Sequence, residues 1–226
     1  MLLMSVLSWA WIQRRGKLQR KIIAIKRKGQ KRPKRLITFT DKSVFEISED
    51  VFISIALEIG SEVDDEYLVE LEEKENMHQA LHAALSLLNY RMRSTAELYK
   101  RLTEKGYNPD IVECVIEKLN EKKFLDDEAF ARAFIHDKIN SRLLGPVALR
   151  RELFPHKLDK EIVEKLLQQA YAEMPEEELV ERLIEKRKIK KGQKMTQKER
   201  NRLISYLQRR GHQWNVIRTV FDKWSI

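Results

Sequence analysis

The side chains that could do chemistry in this sequence are few and scattered. Cys114 is the single cysteine. It has no partner for a disulfide or a CxxC site, which fits a reducing, cytoplasmic setting. It lies on an apolar helical stripe and is expected in the core. Of the five histidines, His78 and His82 stand four apart on one helix, the spacing that can grip a metal from one face. No third ligand lies near them, so they read as a surface pair. Asp126, Asp127 and Glu128 could hold a cation, but three acids opening a helix are already explained by its N-terminal dipole. The glycines are isolated, so no phosphate-cradling loop is expected. These patterns imply neither an enzyme nor a metal or cofactor.

Cations are the stronger signal. Net charge is +9 and the pI is about 9.5, a balance that favours anionic partners such as nucleic acid. Residues 1–35 carry 12 Lys or Arg and no acid, and residues 36–76 carry a net −11. Residues 77–226 return to +8. Within that last stretch the candidates for facing an anion are Arg91, Arg93, Arg132, Arg142, Arg150 and Arg151. Further along stand Lys188, Lys190, Lys191, Lys194, Lys198, Arg202, Arg209 and Arg210. Many have Glu at i±3 or i±4, the pattern of an ordinary solvated helix face. The run from Lys186 to Lys198 contains no acid and is not explained that way.

Positioning these residues falls to a repeated helical unit. Leu98-x3-Leu102, Leu149-x3-Leu153 and Leu203-x3-Leu207 recur at offsets of 51 and 54 residues. Ile111, Ile162 and Val216 open second stripes at the same two offsets, with apolar residues at i, i+1, i+4, i+5 and i+8. A period near 50 residues holds three short helices. Start signals agree: Ser94-x-x-Glu97 and Thr196-x-x-Glu199 read as capping boxes, and Gly145-Pro146 places proline at a first helical position. Asn108-Pro109, Asp126, Asp159 and Pro175 mark other helix starts.

Upstream, Leu36–Thr40 and Val44–Ser48 around Asp41-Lys42-Ser43 read as a β-hairpin, which must pack on something to be stable. Lys21–Ile25 could start another strand. Ser48 is expected to open a helix running to about Ile59, with Gly60 as its C-cap, and a second helix from Asp64 is expected to end in the acidic run Glu70–Glu75. Met1–Ile12 is apolar but too short to span a bilayer. It reads as an interfacial anchor, a disordered tail or residues added by an upstream start codon. The expected organisation is a basic, solvated arm over 1–35, a hairpin with acidic helices over 36–76, and three-helix repeats over 77–124, 125–173 and 174–226. The fold class is all-α: tandem three-helix repeats in an elongated, curved array behind a small N-terminal hairpin with helices.

Four segments carry a resemblance. They are Asn89-Tyr-Arg-Met-Arg-Ser-Thr-Ala-Glu-Leu98, Lys105-Gly106-Tyr107, Phe124-Leu-Asp-Asp-Glu-Ala-Phe-Ala-Arg-Ala-Phe134 and Gly145-Pro-Val-Ala-Leu-Arg-Arg-Glu-Leu153. The first and third together are specific, and the stretch 77–173 resembles the RecX family of RecA modulators. Residues 174–226 fit more loosely, and Phe154-Pro155-His156 departs from the family's Lys-Gly-Tyr turn. The resemblance implies a monomer that binds the groove of the RecA–DNA filament, inhibits its ATPase and strand exchange, and touches single- or double-stranded DNA. A sequence-independent DNA-binding protein and a helical-repeat scaffold for another protein are the alternatives. No membrane partner is expected.

Overall fold

The structure is a computed structural model that describes residues 19–30 and 33–226. The expectations for Met1–Ile12 lie outside those residues. The described chain forms two compact units, one comprising residues up to 83 with 107–115, the other 84–106 with 116–226.

The first unit holds a four-stranded antiparallel sheet in the order β3-β2-β1-β4: the expected hairpin gives β2 and β3, the strand expected to start at Lys21–Ile25 gives β1, and β4 was not foreseen. Its strands are β1 (Arg20–Lys28), β2 (Lys34–Phe39), β3 (Val44–Ser48) and β4 (Glu62–Val63). Part of the expected basic arm is thus a central strand. Its basic residues conceal Ile22, which with Ile37, Phe39, Ile47, Val63 and Leu71 fills the unit's core. The β2–β3 turn is tightened by Asp41, whose Oδ1 accepts from the Ser43 backbone N–H at 2.9 Å, an Asx-type turn.

Two helix boundaries differ from expectation. Helix α1 spans only Glu49–Ile53, because the Ser54 hydroxyl donates to the Val51 carbonyl at 2.7 Å and closes the last turn. Gly60, at φ +100°, serves a different turn: its N–H reaches the Ile22 carbonyl at 2.8 Å and leads the chain into β4. The acidic run does not end a helix either. Helix α2 is continuous over Asp65–Tyr90, crossing position 76, where no glycine or proline interrupts it.

The repeats follow. Repeat one contributes α3 (Thr95–Glu104) and α4 (Pro109–Glu121). Repeat two has α5 (Asp127–Arg142), α6 (Pro146–Leu153) and α7 (Lys160–Glu173). Repeat three has α8 (Glu176–Lys186), α9 (Gln197–Arg209) and α10 (Trp214–Trp224). The matched leucines at 98, 102, 149, 153, 203 and 207 are all buried. Side-chain caps form at expected starts, but the box expected at Ser94 is only half made, because the Glu97 carboxylate pairs with Arg91 and Arg93. Ser94 accepts from the Glu97 N–H, Asp126 from Ala129, and Asp159 from Glu161 and Ile162. Thr196 and Glu199 complete a reciprocal capping box. Each such cap is worth about 1 kcal/mol.

The second and third repeats share one core. They meet backbone to backbone at Gly145 and Gly211: the Gly145 N–H donates to the Arg210 carbonyl at 2.9 Å and the Val147 N–H to the Gly211 carbonyl at 3.2 Å. A Cβ on Gly211 would lie 2.2 Å from the Ala148 nitrogen, so neither chain could approach so closely with a larger residue. Where repeats one and three turn on Gly106 and Gly211 in left-handed conformation, repeat two uses a 3-10 turn, Phe154–His156, and Lys157 at φ 52°. One core assignment is corrected: Cys114 is exposed, because the buried face of α4 is set by Val112, Val115, Ile116 and Leu119.

Candidate nucleic-acid interface

Among the described residues no group of three or more His, Cys, Asp or Glu is placed to hold a metal. His78 instead sits 3.3 Å from the Ser48 hydroxyl and 3.3 Å from Asp50. One Ser–His contact has the look of a nucleophile and its base. Ser94 Oγ lies 2.7 Å from His156 Nδ1. Ser94 is wholly buried and its oxygen already accepts from the Glu97 N–H, so it caps a helix and no substrate can reach it. The contact is a joint: it ties α3 to the 3-10 turn, while Asp127 accepts from the Thr95 N–H at 2.7 Å. Burial lowers the His156 pKa, and its ring packs at 4.7 Å from Phe130 and 5.5 Å from Phe134.

A second histidine ties repeats two and three. His212 is 3% exposed, its Nε2 donating to the Leu143 carbonyl at 3.0 Å and its Nδ1 facing Glu176 at 3.2 Å. Glu176 also accepts from the Gln213 N–H at 2.8 Å. Nothing in the sequence marked Glu176 or His212 as partners, since they are 36 residues apart.

The fourteen candidate cations divide sharply. Arg93 turns inward, 7% exposed, donating to Glu97 and to the Leu87 carbonyl, so it is a buried clamp and not part of an open face. Arg91 pairs with the same Glu97. Burial works against that carboxylate, but the two arginines outweigh it and hold its carboxyl below the usual range. Arg132 pairs with Glu128 at 3.0 Å and Arg142 with Glu152 at 2.8 Å. Arg150 forms a two-pronged bond to Glu164, both contacts 2.7 Å, which lowers the Glu164 pKa. Arg210 donates to the Arg142 carbonyl and lies 5.5 Å from the Tyr206 ring. Lys191 sits 5.3 Å over the Trp224 ring.

Seven remain: Arg151, Lys188, Lys190, Lys194, Lys198, Arg202 and Arg209 are exposed and belong to no ion pair among the described residues. Six of them lie in repeat three. Lys198, Arg202 and Arg209 are spaced by four and seven along α9, one face of a helix. With Asn201 and Ser205 they line an open groove of about 580 Å³. Lys188, Lys190 and Lys194 stand on the preceding loop, which is anchored: the Gly192 N–H donates to the Trp224 carbonyl at 2.7 Å, and Gln193 accepts from the Lys190 N–H at 3.0 Å. Arg187, stacked 3.7 Å over Tyr206, fixes its start. An anchored loop and the helix after it thus present cations in no ion pair among the described residues, with amide and hydroxyl groups on the helix face able to bond phosphate oxygens.

Fold and surface define a class: a tandem three-helix repeat protein with a small sheet and a basic face. Comparison with known proteins is specific. Models of the first, second and third three-helix domains of RecX match residues 80–119, 126–167 and 175–221. The chain is 33% identical to the regulatory protein RecX of Bacillus subtilis over 83% of its length and 70% of the relative's. It is 31% identical to that of Oceanobacillus iheyensis, over 79% and 65%. A crystal structure of regulatory protein RecX aligns with TM-score 0.68 and 24% identity, covering 90% of this chain and 99% of that one. That of RecX from Lactobacillus salivarius gives 0.56 and 19%, covering 67% and 98%. The chain belongs to the RecX family of regulatory proteins. Among the described residues, no helix is long and apolar enough to cross a membrane.

Proposed function

We propose that this protein is a negative modulator of the RecA recombinase. It binds in the groove of the RecA–DNA filament as a monomer in the cytoplasm and lowers the filament's ATPase and strand-exchange activity without catalysing a reaction itself. Family membership supports the RecA partner. The observation that carries the site is a face of α9 whose cations are in no ion pair among the described residues: Lys198, Arg202 and Arg209 on one side of the helix, following an anchored lysine loop. Cations without carboxylate partners have nothing to lose on meeting phosphates, whereas paired arginines must first give up an ion pair. The face therefore meets the nucleic acid or the acidic surface of the filament, while the paired arginines of repeats one and two hold the repeats in shape.

Electron microscopy of RecA filaments from the same organism tests the reading. Stoichiometric addition is expected to leave protein density in the groove and to shorten the filaments. Bare filaments of unchanged length contradict it. The same face also favours sequence-independent binding to free DNA, which predicts affinity falling steeply between low and moderate salt.

A further inference from the structure

The tip of the β1–β2 ribbon places like charges opposite one another. In the antiparallel register Arg27 faces Arg35 and Lys28 faces Lys34. Directly opposed like charges destabilise a sheet, and β1 has no acid anywhere along it. Two carboxylates on neighbouring elements relieve part of this. Glu46 bridges Lys28 at 3.1 Å and Lys34 at 2.5 Å, and Glu49 holds Arg35 through two bonds of 2.8 and 2.7 Å. Lys26 and Arg27 are exposed and in no ion pair among the described residues, although Arg27 is near enough to Glu49 to help lower its pKa. Five cations against two carboxylates leave this end of the sheet net positive. Departures of this kind from local rules mark functional positions more often than neutral ones.

We infer that the ribbon tip, through Lys26 and Arg27, is a second contact for the phosphate backbone of nucleic acid, separate from the α9 face. At this end β2 is also paired with β3, so the site is the edge strand β1 of a three-stranded sheet end: Lys26 and Arg27 are neighbours on it, leave opposite faces of the sheet, and can meet phosphates along a nucleic-acid backbone. Glu46 and Glu49 anchor the lysine and arginine side chains beside it, so the tip presents charge from a fixed frame. The inference deepens the proposed function by adding a DNA contact, but it needs no RecA to be tested.

The test is fluorescence anisotropy of a labelled duplex with the full chain, without RecA, from about 50 to 200 mM salt, a range over which phosphate contacts are read by slope. The K26T/R27T variant puts strand-forming threonines where charge stood. It is expected to make the slope of log affinity against log salt shallower by about 1.8, since each lost duplex contact removes about 0.9. Its thermal midpoint is expected to hold or rise, because the Arg27–Arg35 opposition is gone. An unchanged slope overturns the inference. So does a midpoint that falls in step with binding, which would make the two residues structural. Absence of duplex binding by the unmodified chain also overturns it, while leaving the RecA reading to stand on the filament experiment. The α9 variant K198T/R202T/R209T is expected to keep a residual, salt-sensitive affinity, and its complete loss would leave no second contact.

Discussion

In repeats one and two, Arg91, Arg93, Arg132, Arg142 and Arg150 all point at carboxylates. In repeat three, Lys188, Lys190, Lys194, Lys198, Arg202 and Arg209 point at solvent, although Arg182, Arg218 and Lys223 of the same repeat are paired. The same side-chain types thus do two jobs. Where a carboxylate lies within reach, the cation fixes geometry between helices, as Arg142–Glu152 and Arg150–Glu164 do across 10 and 14 residues. Where none does, the charge remains available to a partner. Counting Lys and Arg does not separate the two roles; the position of the nearest acid does.

The largest effect expected from the structural side concerns the joint that holds repeat three to repeat two. Gly211→Ala combines φ +86° with a Cβ 2.2 Å from the Ala148 nitrogen, and should cost about 3 kcal/mol or more in chemical denaturation. A loss under about 1 kcal/mol would mean that the joint is looser than drawn. Arg93→Ala comes next. It strips Glu97 of a buried partner and should cost roughly 2–4 kcal/mol, with duplex affinity of the folded protein unchanged. A drop in affinity there, at full folding, would break the division between paired and unpaired cations.

Acid should act through the paired set. Burial lowers the His156 pKa, so below its ordinary value of 6.5 the unfolded chain binds a proton that the folded chain refuses. The unfolded state then holds more protons, and stability falls as pH drops from neutral through that value. Glu97 and Glu164, whose pKa values are lowered, keep their contribution above their ordinary 4.5 and lose it only at lower pH. His156→Phe should remove the upper part of this slope and leave the lower part, as urea midpoints between pH 7.5 and 3.5 would read. The smallest effect is expected at Arg150→Gln. Its ion pair is about half exposed on both sides, so stability should change by about 0–1 kcal/mol and DNA affinity not at all.

Much of this was legible in the sequence. The two matched offsets and the caps at Ser94, Asp126, Asp159 and Thr196 are local patterns, and local patterns survive folding. Strand β1 was harder to read, because RKIIAIKRK hides one fully buried isoleucine among cations and pairs with strands up to 43 residues away. The continuity of α2 was obscured by an acidic run that looks like a solvated end but contains no helix breaker. Cys114 was misjudged because apolar spacing defines a wide stripe and only packing decides its edge. The candidate site was half legible. The acid-free run Lys186–Lys198 pointed to it, but the stripe continuing through Arg202 and Arg209 and the inward turn of Arg93 depend on which acids tertiary structure brings near. Glu164 facing Arg150 across 14 residues is not a helix-spacing pair.

The most direct measurement is inhibition of RecA's DNA-dependent ATPase by three proteins: the unmodified chain, K198E/R202E/R209E and R132Q/R142Q/R150Q. The unmodified chain is expected to inhibit at stoichiometric amounts. The α9 variant should need more than about tenfold higher concentration for half-inhibition, since three phosphate-type contacts are lost. The variant in the paired arginines should remain within about twofold of the unmodified chain, as expected for exposed pairs that shape the repeats. No inhibition by the unmodified chain, or equal losses in the two variants, would contradict the assignment of regulation to the unpaired face of repeat three.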